Sequence, residues 1–95
     1  MRFITKWFVR FSKEEKDLIK KWANAPGREL FVQVTGFVSL FVEEECELEF
    51  ENEDDCEEFF IRLNKAGFID EPYRGEPQDR YKLNKSGIKR IRRWI

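Results

Sequence analysis

From Leu30 to Phe50 the apolar residues hold one parity. Leu30, Val32 and Val34 share it, and after Thr35-Gly36 it continues through Val38, Leu40, Val42, Cys46, Leu48 and Phe50. Glu43, Glu45, Glu47, Glu49 and Glu51 occupy the other parity. Successive side chains of a strand point to opposite faces, so this run reads as sheet with one dry face and one acidic, wet face. Thr35-Gly36 suits a turn or bulge, because Gly accepts the backbone angles these need. A second turn near Glu43–Glu45 can divide the remainder into two strands.

The flanks have helical spacing. Ser12 and Glu15 form a capping-box pattern, Leu18, Ile19, Trp22 and Ala25 make an apolar stripe, and Pro26-Gly27 ends it. Asn52 can cap a second helix whose buried stripe is Cys56, Phe59 or Phe60, and Leu63, with Gly67 placed as its C′ residue. At the start of the chain, Phe3, Thr5, Trp7, Val9 and Phe11 alternate with a mostly basic set and predict a strand. Phe68 and Ile69, a turn over 72–78, then Tyr81 and Leu83 predict a hairpin. Ile88, Ile91 and Ile95 mark a last helix over 85–95. The expected protein is a single α+β domain over 1–95, in the order β-α-β-β-α-(β-hairpin)-α. A ferredoxin-like βαββαβ sandwich is the alternative.

Charge is sorted along the chain although its formal net value is −1. The stretch EEECELEFENEDDCEE, residues 43–58, has eleven acids and no base, whereas residues 80–95 have seven bases and no acid. Half of the acidic stretch belongs to the wet strand face. The other half fills the first turns of the second helix, where the dipole favours negative charge.

Several functions are poorly supplied. There is no His, and Ser12, Ser39 and Ser86 have no recognisable nucleophile setting, so no catalytic residues are expected and the chain reads as a non-enzyme. Cys46 and Cys56 cannot complete a zinc site alone, so neither metal nor cofactor is expected. Both fall on apolar faces and read as packed thiols, although a bridge between them would tie strand to helix. The longest apolar-rich run, LFVQVTGFVSLFV, is too short for a bilayer, and the opening residues lack a signal-peptide core, which predicts a cytoplasmic protein without membrane contact.

Residues 56–93, CEEFFIRLNKAGFIDEPYRGEPQDRYKLNKSGIKRIRR, resemble the carboxy half of winged-helix DNA-binding proteins. In that family a helix ends in L-x-x-x-G-[FLI]-I, a β-hairpin wing follows, and its return strand reads R-Y-x-L-[ST/N]-x-x-G before a further helix. Leu63 to Ile69 and Arg80 to Gly87 supply those phrases here. The β-patterned run 30–51 stands where that family has the helix before its recognition helix. The resemblance implies a DNA-binding or transcription-regulating module.

Three uses of the sorted charge follow. Arg74 at the wing tip, with Arg80, Lys82, Lys85, Lys89, Arg90, Arg92 and Arg93, can hold nucleic-acid phosphates. Alternatively Glu43, Glu45, Glu47, Glu49 and Glu51 dock a basic protein. An inhibitor from a mobile element could do so by mimicking nucleic acid, since alternate strand residues lie about 6.6–6.8 Å apart, twice the ~3.4 Å spacing of charges along a DNA strand. Finally, acidic face against basic tail would make a homo-oligomer. Trp7 and Trp22 read as core, and Trp94, at the terminus among arginines, could stack on a base or a partner.

Overall fold

The computed structural model describes residues 9–94, without the side chain of Trp94. Most of the first expected strand, and Trp7 with it, therefore lies outside the described residues, and residues 9–12 have no regular form. Helix α1 (Lys13–Asn24) starts at the anticipated box: Glu15 N donates to Ser12 Oγ at 3.1 Å and Ser12 N donates to Glu15 Oε1 at 2.8 Å. A short 3-10 turn, Pro26–Arg28, then leads into three strands, β1 (Glu29–Val34), β2 (Val38–Val42) and β3 (Glu45–Phe50). The turn that divides β2 from β3 is at Glu43–Glu44, with Glu43 at φ 61.

Helix α2 (Glu53–Lys65) is capped by Asn52, whose Oδ1 accepts from Asp55 N at 2.9 Å. It ends as expected at Gly67, φ 83, where Gly67 N donates to Asn64 O and Phe68 N to Leu63 O, both at 3.0 Å. That pair is the Schellman arrangement. Strand β4 (Gln78–Lys82), helix α3 (Lys85–Ile91) and a 3-10 turn (Arg92–Trp94) complete the chain. The α+β class and the succession of elements agree with expectation.

The sheet order is β3-β2-β1-β4, every described pairing antiparallel. The turn near Glu43–Glu45 divides the run as the sequence allowed, so three strands separate α1 from α2 and the ferredoxin-like alternative, which has two there, is set aside. The return arm of the expected hairpin pairs with β1, Leu30 opposite Tyr81, rather than with Phe68 and Ile69. Those two residues are buried without forming a strand, because β1 already offers β4 a long edge.

One core lies between the helices and a single face of the sheet. Leu18, Ile19 and Trp22 of α1, Phe59, Phe60 and Leu63 of α2, and Ile91 of α3 meet Leu30, Val32, Val38, Leu40, Val42 and Tyr81. Trp22 is fully buried, as expected, and its indole N–H donates to Arg28 O at 2.9 Å. On the opposite face the register sets Phe31 beside Phe41 and Arg80, with Ser39 beside Glu49.

A bulge in β3 corrects the parity reading. Leu40 pairs with Leu48 but Phe41 pairs with Cys46, which leaves Glu47 as the extra residue. An inserted residue turns what precedes it to the other face. Cys46 is consequently exposed, not packed, whereas Cys56 is buried; both are free. Burial pushes the Cys56 thiol up to about 12. Among the described residues no helix is long and apolar enough to cross a membrane.

Candidate nucleic-acid interface

The eight basic residues singled out in the sequence do not form one surface. Arg74 is committed within its own neighbourhood. Its guanidinium donates to Asp79 at 2.8 and 2.6 Å, to Glu71 Oε1 at 3.0 Å and to Arg80 O at 3.2 Å, and it lies 4.7 Å from the Tyr81 ring centre. Hydrogen bonds from Arg74 hold the Asp79 carboxyl below the usual value. The same loop reaches the start of α2, where Tyr73 Oη donates to Glu53 Oε2 at 3.1 Å. Arg74 thus fastens the 71–79 loop beside an acidic helix start, so its phosphate-holding role has no free donor set to support it.

Arg90 is also turned inward. Its guanidinium donates to the carbonyl of Ala66, the C-cap of α2, and it packs against Gly67. A cation on the last carbonyls of a helix meets the negative end of its dipole. Gly87 completes the junction, since a Cβ there would stand 2.8 Å from Phe68 Cα. Asn84 N donates to Phe68 O at 2.9 Å. The terminal helix is therefore pressed backbone to backbone on the chain leaving α2.

Lys85, Lys89, Arg92 and Arg93 remain, all exposed and without a carboxylate partner among the described residues. Lys85, Lys89 and Arg92 recur at helical spacing on the side of α3 away from the buried Gly87 and Ile91. Lys82, three residues before Lys85, ends β4 opposite Glu29 on the sheet face that no described helix covers. Arg80 is on that face too, 3.9 Å from Glu29 Oε1 and 5.1 Å above the Phe31 ring.

The acidic stretch is divided by the turn and the bulge. Glu43 is in the β2–β3 turn. Glu45 and Glu47 sit on the α1 side, where Lys21 Nζ donates to Glu47 Oε1 at 2.9 Å; that hydrogen bond raises the Lys21 pKa. Glu49 is on the other face and accepts from Ser39 Oγ at 3.2 Å. Glu51 follows the end of β3 and is exposed. A single row of evenly spaced carboxylates is not formed, which corrects the geometric basis of the mimicry reading.

Acids and bases nevertheless lie apart along α2. Its thirteen residues span about 20 Å, with Glu53, Asp54, Asp55, Glu57 and Glu58 toward the start and the Arg90–Ala66 junction at the end. Phe31 and Phe41, on the sheet face away from the helices with ring centres 6.1 Å apart, have no place in the sequence reading. Their signal was present: odd positions 31 to 41 read Phe, Gln, Thr, Phe, Ser, Phe on a face expected to be wet. Among the described residues no group of three or more His, Cys, Asp or Glu side chains is arranged to hold a metal ion. No family model matches the chain, and no curated protein or solved structure matches it significantly.

Proposed function

We propose that this domain binds nucleic acid by its phosphates, along the exposed side of α3. The observation that carries the reading is the exposed set Lys85, Lys89, Arg92 and Arg93, which has no carboxylate partner among the described residues, whereas the arginines at 62, 74 and 80 do. Lys82 extends the set toward the sheet. Phosphate contacts position a nucleic acid without reading its sequence, so binding would be strongly salt-dependent and weakly selective. Arg90 and Gly87 act indirectly, by fixing α3 on α2 so that the stripe faces outward. The winged-helix resemblance of residues 56–93 points the same way and is the only support for a regulatory role. The rival, a protein docked on residues 43–58, keeps the α2 start but loses the even row.

The test is fluorescence anisotropy of labelled duplex and single strands, titrated over a range of salt. Each neutralised phosphate contributes about −0.7 to −0.9 to the slope of log K against log salt. Triple reversal Lys85→Glu, Lys89→Glu, Arg92→Glu should abolish binding, whereas Asp54→Lys with Glu57→Lys should not weaken it. No binding of the unaltered protein to either strand form at low salt would end the proposal.

A further inference from the structure

The helices bury one face of the sheet, and the core they make contains none of Phe31, Phe37 or Phe41. Phe31 and Phe41 are half-buried neighbours on the opposite face, and Phe37, in the turn leading into β2, is 52% exposed. Gln33 and Gln78 face each other on the same side, next to the Phe31–Arg80 pair. Its two carboxylates are engaged, Glu29 with Arg80 and Glu49 with Ser39. Aromatic rings here are interspersed with amides, a hydroxyl and a guanidinium rather than gathered into an aliphatic patch.

We infer that this face is a stacking platform for single-stranded nucleic acid, with Phe31 and Phe41 each taking a base. The inference rests on the phosphate-binding reading above and gives it a substrate class. Bases present a π-face for aromatic rings and hydrogen-bonding edges for amides, which is the chemistry this face offers. The two rings are 6.1 Å apart and inclined at 52°. Duplex bases are stacked at ~3.4 Å along each strand, so a base on each ring requires an unstacked strand. Lys82 at the end of β4 joins this face to Lys85 and Lys89, so cations are placed to follow the backbone off the sheet. A duplex could not open its bases onto the rings.

The experiment uses the whole chain and three probes of equal length: a deoxythymidine strand, an abasic deoxyribose-phosphate strand and a duplex. The unaltered protein should bind the thymidine strand at least about tenfold more tightly than the abasic one, the scale of base–aromatic stacking. Phe31→Leu with Phe41→Leu should erase that preference while preserving abasic-strand affinity and the far-ultraviolet circular dichroism. Equal binding of thymidine and abasic strands by the unaltered protein overturns the platform and leaves the phosphate reading standing. Preference for the duplex overturns the platform as well. Failure to bind any probe overturns both.

Discussion

Arg62 and the cations of α3 show two opposite uses of positive charge. Arg62 Nη1 and Nη2 donate to the two oxygens of Glu15 at 2.8 Å each, Nη1 also donates to Arg10 O at 2.8 Å, and Nε donates to Glu58 at 3.0 Å. The guanidinium carbon is 5.4 Å from the Phe11 ring centre and 5.6 Å from that of Phe59. It knits α1, α2 and the incoming chain together with most of its donors satisfied. Among the described residues Lys85, Lys89 and Arg92 hold no such partners, and they crowd like charge onto α3 and the turn that follows it. Acceptors within reach, carboxylates for Arg62 and a helix-end carbonyl for Arg90, rather than residue type, decide which cations become structure. Cations left without them contribute little to folding and stay available to an outside anion.

The comparison breaks most visibly at Glu15. Its side chain is 11% exposed and serves both Arg62 and the α1 cap. Glu15→Ala should destabilise the domain by about 2–3 kcal/mol, since a partly buried guanidinium loses its main partner and the capping box is lost. Urea unfolding measures this, and a loss below about 0.5 kcal/mol would deny that Arg62 is structural. Glu15→Gln should be milder, because the amide still accepts from Ser12 N. Strand affinity should be unchanged in both.

A smaller effect is expected with pH. Burial alone would raise the Glu15 carboxyl, but the hydrogen bonds from Arg62 and Ser12 outweigh it and hold the group below its ordinary value. Asp79 is lowered through Arg74. A carboxyl depressed by folding contributes stability above its unfolded pKa and loses it as pH falls through the folded one. Thermal midpoints should therefore be flat near neutrality and fall below the ordinary carboxylate range. Glu15→Gln should make that acid limb shallower; an unchanged limb would mean the ion pair contributes nothing to it.

Much of this architecture is legible in the sequence because its causes are local. Ser12 with Glu15, Asn52 with Asp55, and Gly67 with Asn64 act over three residues, so spacing alone exposes them. The dry parity of β1 and β2 is equally local. Pairing is not: Tyr81 meets Leu30, and Arg62 meets a carboxylate 47 positions away. Nothing near Cys46 announces that Glu47 bulges, since the bulge arises from register against β2. The candidate interface divides the same way. Exposure of Lys85, Lys89 and Arg92 follows from a tail without acids. Engagement of Arg74 and Arg90 depends on Asp79, Glu71 and Ala66, brought near only by the fold. Gly87 closes a family-like phrase, yet its physical reason, the nearness of Phe68, is visible only in three dimensions.

The smallest expected effect separates the two kinds of cation within α3 itself. Arg90→Ala removes a charged donor from the last carbonyl of α2 and should cost about 1–2 kcal/mol. The triple change Lys85→Ala, Lys89→Ala, Arg92→Ala should stay within about 0.5 kcal/mol of the unaltered protein. Its sign is informative. Like charges four residues apart on a helix repel by roughly 0.2–0.5 kcal/mol, and Ala is the better helix former, so the triple variant should be slightly the more stable at low salt. Added salt screens exposed charges, so the difference should narrow as ionic strength rises. If the triple variant were instead as unstable as Arg90→Ala, these side chains would be structural and the division between tied and free cations would fail. If it is stable but no longer binds nucleic acid, the repulsion on α3 is a cost that folding does not explain and phosphate binding does.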